Sequence, residues 1–327
     1  MFITQDGYDN SSAKKVEIGD LLLAMYGATS GDIAVSKIRG AINQAILCIR
    51  TNQNKKFIES VWNKHVSKIL RKYLQGGQGN LSADIVKGIS FSFPTLEEQK
   101  RIANLISLLD ERIATQNKII EDLKKLKSAI IEEHYRQTEK NEVCVADLGN
   151  HFNVGNLAKD DLSETGKPCI IYGELFTTYG EIISQIESHT NKTGGMILSK
   201  KGDLLFPSST TVDAVSLIAP SVINVDNVIL GGDMFGIHIS HNYNAQYLSY
   251  YFNHIAKKQL AKFAKGSTII HLHYTDIEKA KLLLPSLEEQ NRMAKCLVAL
   301  DKKVSVEQNL LSSLTCQKSY LLQQMFI

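Results

Sequence analysis

Two carboxylate pairs, Glu97-Glu98 and Glu288-Glu289, have the spacing that could support general acid–base chemistry. Each pair follows a hydroxyl residue in the same pattern, Thr95-Leu96-Glu97-Glu98 and Ser286-Leu287-Glu288-Glu289. That is the pattern of a helix capping box, in which the hydroxyl accepts from the N3 amide and the N3 Glu reaches back to the cap amide. Pro94 and Pro285 stand just before the caps, where no amide donor is missed, and acidic residues in the first turn suit the helix dipole. The helix-starting role is therefore preferred over catalysis. Other catalytic patterns are missing from the sequence. The five prolines are never adjacent, which leaves no Asn-Pro-Pro-aromatic loop. The only Gly-Lys pair, Gly166-Lys167, runs into Pro168 rather than a phosphate-binding Ser or Thr, and no His-Glu-x-x-His zinc helix occurs.

Two matched stretches carry a different chemistry. Lys68, Arg71 and Lys72 precede a glycine-rich loop containing Gln78 and Asn80. Lys257, Lys258, Lys262 and Lys265 precede Gly266-Ser267-Thr268 and then His271 and His273. Cations suit phosphates, and amide, hydroxyl and imidazole groups on loops suit base edges, so both stretches are candidate DNA contacts. A solvated helix face with cations at its C-terminal end is the competing reading. Tyr26, Thr29 and Ser30, with Ser208, Ser209 and Thr210, are further loop candidates. His271 and His273 alternate as on a strand, which would turn one of them inward; no metal site is assigned.

The elements that must hold these loops are written twice. Residues 93–136 and 284–327 align without a gap at an offset of 191, and twelve of the 44 positions are identical. Behind each cap an apolar stripe runs at spacings of four and three. In the first copy it is Ile102, Ile106, Leu109, Ile113, Ile120, Leu123 and Ile130. In the second it is Met293, Leu297, Leu300, Val304, Leu311, Leu314 and Leu321, with Gln116 and Glu307 interrupting at the same place. About 42 residues without Pro or Gly predict a helix of roughly 63 Å. A narrow stripe needs a partner helix, and the other copy is the nearest candidate, antiparallel, with the domains at opposite ends; an intermolecular coiled coil is the alternative. Ahead of each helix, residues 16–22 match 199–205 as a turn entering a buried strand. Residues 57–77 match 245–266 as an amphipathic helix ending in Gly. The second domain has about 41 residues before the point that matches Met1, so the expectation is a first domain shortened at its front.

A length of 327 residues and a hydrophobic fraction of 43% describe an ordinary two-domain globular chain. No signal-peptide pattern and no membrane-length apolar run is present, and five cysteines without a Cys-x-x-Cys pair suit reduced thiols. The expectation is therefore a cytoplasmic protein. Net charge is only +3. Residues 1–92 carry twelve basic against seven acidic side chains, and residues 143–283 carry eleven against thirteen, so charge alone identifies no partner.

The two P-T/S-L-E-E-Q helix starts, the long helices behind them, the terminal LLQQMF and the phrase GDLLLAMYGATSGDIAVSKIRGAINQAILCI at 19–49 together resemble the specificity subunit of type I restriction–modification enzymes. The resemblance covers nearly the whole chain. It implies an α+β molecule with two mixed α/β target recognition domains linked by two long helices forming an antiparallel coiled coil. The expected boundaries are 1–93 for the first recognition domain, 94–137 for the first spacer helix, 143–284 for the second domain and 285–327 for the second spacer helix. It also implies a non-catalytic subunit that reads a bipartite site on double-stranded DNA and docks methyltransferase subunits. Motor-nuclease subunits would join the nuclease form. S-adenosylmethionine, ATP and magnesium would belong to those partner subunits and none to this chain. Rival readings are a truncated or silent recombination cassette with only its second half working, and a coiled-coil scaffold that never touches DNA.

Overall fold

The computed structural model describes residues 4–73 and 81–325. Two compact units emerge: residues 1–120 with 306–327, and residues 121–305. Both contain parts of two continuous helices, Leu96–Gln137 and Leu287–Met325. Among the described residues no helix is long and apolar enough to cross a membrane.

The caps do half of what the capping box promised. Thr95 Oγ1 accepts from the Glu98 amide at 3.4 Å and Ser286 Oγ from the Glu289 amide at 3.3 Å. The reciprocal bond from the N3 Glu is not seen among the described residues. The Glu289 carboxylate is taken instead by His134 at 3.0 Å and by Arg292.

In the first unit, strand Leu21–Ala24 lies between Ile33–Val35 and Ile46–Ile49, antiparallel to both. Helix Lys55–Tyr73 packs Trp62 and Ile69 with Leu23, Met25 and Leu81. Burial of each such side chain is worth about 1.5–3 kcal/mol. Gly31 lets the chain pass close to this helix: its φ is +93°, and a Cβ there would lie 2.8 Å from Val66 Cγ2. Its carbonyl accepts from the Trp62 indole at 2.7 Å.

The second unit holds two five-stranded sheets. The first runs Ile182–Ile183, Ser221–Ile223, Asp203–Pro207, Met234–Ile239, Gly149–Asn153, and the second Ile197–Leu198, Ile229–Gly231, Lys167–Ile171, Ser188–Thr190, Leu162–Ser163. Strand Asp203–Pro207 is buried on both faces. Leu204 and Phe206 enter the core that contains Tyr247, Tyr250, Tyr251, Ile131 and Leu297, while Leu205 enters a second core with Ile170 and Leu230.

The matched turns are the same structure. Glu17 to Asp20 and Lys200 to Asp203 each place Gly at positive φ (Gly19 +88°, Gly202 +93°). In each, the Asp carboxylate accepts from the first amide of the turn, at 3.0 Å for Glu17 and 2.8 Å for Lys200. That amide, followed by Arg50, holds the Asp20 carboxyl down to about 2. The matched helices, by contrast, differ. The expected continuous helix to Gly266 is instead Ala245–Tyr251, a π turn at Phe252–Ala256, Lys257–Leu260 and a 3-10 turn at Ala261–Phe263. It stops three residues short of Gly266, which belongs to the next turn.

Candidate nucleic-acid interface and helical seam

Two nominated loops of the second unit meet as a small ladder. Ser209 pairs with His271 and Thr210 with Ile270, and the Leu272 amide donates to the Ser208 carbonyl at 2.9 Å. A second bridge joins Lys265 to His271, closing a hairpin over Gly266, Ser267 and Thr268. The hairpin depends on Gly266: its φ is +112°, and a Cβ there would sit 2.1 Å from the Ile269 carbonyl oxygen. His271 and His273 lie on the same outer side with rings stacked at 6.1 Å, and Leu272 between them is the inward residue. Alternation therefore turns Leu272 inward, where the sequence reading expected a histidine.

This ladder forms one wall of a cleft of about 850 Å³ lined by Tyr172, Thr210, Val212, Asp233, Lys257 and His271 among others. Tyr172, Val212 and Ile269 expose apolar surface at its rim, Val212 by 73%. His271 lies 3.9 Å from Asp233, a residue that sequence reasoning missed because an isolated acid after two glycines carries no pattern. Lys257 is half-buried in the cleft wall, and Lys258, Lys262, Ser267 and Thr268 are exposed. Lys265 is exposed but ion-paired with Asp276, which holds that carboxyl below its ordinary range. The site can therefore offer a cation, hydroxyls, an imidazole, a carboxylate acceptor and methyl groups to one extended ligand.

In the first unit Lys68, Arg71 and Lys72 are exposed on the last turns of Lys55–Tyr73, with the Arg71 guanidinium donating to the Ser67 carbonyl at 3.2 Å. Tyr26 and Thr29 are exposed at the short turn after Leu21–Ala24, and the Ser30 hydroxyl donates to the Met25 carbonyl at 3.0 Å. Gln78 and Asn80 lie outside the described residues.

All fourteen stripe residues are buried or half-buried. Within the first unit, Ile102 and Ile106 pack in one cluster with Leu322 and Met325, and Gln116 donates to the Glu307 carbonyl at 3.1 Å and to its carboxylate. Within the second, Ile131 shares a core with Met293 and Leu297, and His134 meets Glu289. As numbers rise on one helix they fall on its partner, which makes the pairing antiparallel in each unit.

Two ionisable side chains unexpectedly occupy the stripe, Lys127 and His134, both 8% exposed. Lys127 binds Glu181 at 2.9 Å and Asp301 at 2.8 Å; His254 also meets Glu181 at 2.9 Å, and the Tyr250 hydroxyl donates to Asp301. Burial alone would raise the Glu181 pKa, but His254 and Lys127 outweigh it and hold the carboxyl down to about 2. Burial likewise opposes the Lys127 charge, and the two carboxylates outweigh that and raise its pKa. Offset by the repeat, Asp301 corresponds to Asp110 and Lys127 to Lys318. Asp110 is ion-paired with Lys318 and with Lys56 in the first unit, so the same contact is made in both copies.

The family model for the type I restriction modification DNA specificity domain matches residues 2–125 and 138–315. The type I restriction enzyme MjaVIII specificity subunit of Methanocaldococcus jannaschii is 24% identical over 323 residues, covering 89% of this chain and 74% of that one. A putative MjaX specificity subunit of the same organism is 24% identical over 343 residues, covering 93% and 78%. The crystal structure of a type I restriction–modification S subunit from M. genitalium superposes with a TM-score of 0.63 at 17% identity, over 96% of this chain and 84% of that one. A chain from a study of complex assembly and conformational transition in the type I R-M system gives 0.60 at 17%, over 98% and 85%. At that identity the structures attest the fold: two recognition domains linked by long helices. With the family model matching most of its length, this chain belongs to the type I restriction–modification DNA specificity family.

Proposed function

We propose that this chain is the non-catalytic DNA-recognition subunit of a type I restriction–modification complex. It reads one half of a bipartite site with each recognition domain and docks methyltransferase subunits on its helices. The observation that carries this reading is the loop ladder of the second unit, which gathers Thr210, Lys257 and His271 around one cleft. Lys257 and the exposed lysines beside it suit phosphates; Thr210, Asp233 and His271 suit base edges; Val212 and Ile269 suit thymine methyl groups. In the first domain Lys68, Arg71 and Lys72 take the phosphate role. Methyl transfer is assigned to methyltransferase subunits using S-adenosylmethionine, and cleavage to motor-nuclease subunits using ATP and magnesium. The complex works in the cytoplasm, where its DNA is.

The test is reconstitution. The purified chain alone transfers no methyl group, and addition of methyltransferase subunits gives methylation at one bipartite sequence. Duplex affinity of that complex falls steeply and log-linearly with salt. Methyl transfer by the isolated chain, or DNA affinity indifferent to salt, overturns the reading; a complex that assembles without binding DNA leaves only a scaffold.

A further inference from the structure

The final Gln of each P-T/S-L-E-E-Q start has no role in capping its own helix, since Thr95 and Ser286 do that. Yet Gln99 and Gln290 are 0% and 1% exposed, in a first turn where a polar side chain could have faced water. Two of their bonds are the same in both halves, and Gln99 Nε2 makes a further one, donating to Gln53 Oε1 at 2.6 Å. Gln99 Nε2 donates to the Pro94 carbonyl at 2.9 Å, and its Oε1 accepts from the Asn54 amide at 3.0 Å. Gln290 Nε2 donates to the Pro285 carbonyl at 2.9 Å, and its Oε1 accepts from the Asn244 amide at 3.0 Å.

Asn54 and Asn244 are the N-caps of the recognition-domain helices. Their side chains accept from the Phe57 amide at 2.9 Å and the Tyr247 amide at 2.8 Å. The backbone amide of a cap residue lies outside its own helix ladder and must find a partner elsewhere. Here the partner is the spacer-helix glutamine. Each Gln thus ties two backbone groups, one at the entry of the spacer helix and one at the entry of the domain helix. The glutamine end of each bond is buried, so a shift of the domain by an ångström would leave the amide group of a buried side chain unpaired. Glu could accept but not donate, and Asn is one methylene too short. Only Gln offers both functions at this reach.

We infer that Gln99 and Gln290 are positioning residues that seat each recognition domain on its spacer helix, and so fix the gap between half-sites that the assembled protein accepts. The inference rests on the recognition role proposed above. Gln→Met keeps length and helix propensity while removing both bonds. The parent chain, Gln99→Met and Gln290→Met are each co-expressed with their methyltransferase subunits in a host free of other DNA methylation, and methylated bases are mapped across the genome. The parent gives one bipartite motif with one gap. The variants keep both half-sites but methylate sites with the gap changed by one base pair at least ten-fold more often than the parent does. An unchanged single gap, or loss of a half-site altogether, overturns the inference.

Amide hydrogen exchange on the assembled protein separates this from the recognition reading. In Gln290→Met the Asn244 amide and the first turn of Ala245–Tyr251 exchange at least ten-fold faster, while strand Asp203–Pro207 is unchanged. Equal exchange refutes the seat whatever the DNA result. A parent complex that methylates no specific site refutes the recognition role and leaves the seat to the exchange experiment. If Gln290→Met fails to fold, Gln99→Met with the Asn54 amide as probe makes the same comparison.

Discussion

Lys127 and Lys318 occupy equivalent places in the repeat, but their burial differs, which makes them a controlled pair. The Lys127 side chain is 10% exposed and faces Glu181 and Asp301; the Lys318 side chain is 30% exposed and faces Asp110. Lys127→Met removes the cation and leaves the two carboxylates it bridged, with His254 still at Glu181 and Tyr250 still at Asp301. Removing one partner of a buried ion pair costs about 3–5 kcal/mol. Retained partners place Lys127→Met near the lower end, about 3 kcal/mol, or roughly 6–12 °C in the midpoint of a unit this size. Lys318→Met, with Lys56 still at Asp110 and more solvent around it, should cost about 0.2–1 kcal/mol. The chain supplies its own probes. Trp62, its only tryptophan, reports the first unit, and near-ultraviolet dichroism of the Tyr247, Tyr250 and Tyr251 cluster reports the second. Lys127→Met should therefore move the tyrosine transition and Lys318→Met slightly move the tryptophan one. Equal effects, or a Lys127→Met protein within about 1 kcal/mol of the parent, would refute the argument that burial makes the same contact stronger.

Acid should act on the second unit through Glu181. Its carboxyl is held at about 2 in the fold against an ordinary 4.5, so its contribution is complete above pH 4.5 and is lost as pH falls toward 2. Glu181→Gln should weaken the unit at neutral pH and flatten the acid limb of the tyrosine transition over that window. Asp20, held at about 2 against 3.8, gives the tryptophan transition the same sign of pH dependence. Gly266→Ala forces strain of about 1–3 kcal/mol on the hairpin turn. The turn should remodel and duplex affinity fall roughly ten-fold, with the tyrosine midpoint lowered by no more than the strain the remodelled turn retains; a binding titration beside a thermal scan checks both. Lys257→Ala should weaken binding across sequences and reduce the slope of log affinity against log salt by about 1.

Much of this architecture was legible because local chemistry is repeated. Thr95 and Ser286 begin helices, and the two Gly-Asp turns lead into buried strands, since each depends on a few neighbouring residues. The stripe was legible as far as it was apolar. Lys127 and His134 were not, because an ionisable residue on a seam reads as solvent-facing until its partner is seen, and Glu181 lies 54 positions from Lys127. The same limit hid Gln99 and Gln290, whose partners are backbone amides some 45 residues upstream. The π turn at Phe252–Ala256 likewise leaves no pattern in an amphipathic stretch. Of the nominated DNA contacts, Ser209, Thr210 and His271 come together at one cleft because a ladder joins their loops, with Lys257 reaching it from helix Lys257–Leu260, a long-range arrangement that the spacing of the residues does not encode.

The contact between Gln116 and Glu307 is where the repeat meets its own equivalent position, and there the two copies differ. Were two second copies to pair in this way, Glu307 would face Glu307 in an enclosed place, and like carboxylates there repel. Two first copies would face Gln116 with Gln116, an uncharged match that lacks a charge-assisted bond. One altered residue at the crossing thus makes the helices prefer each other to themselves. A chain that carries both copies is thereby biased toward pairing first copy with second and away from pairing like with like.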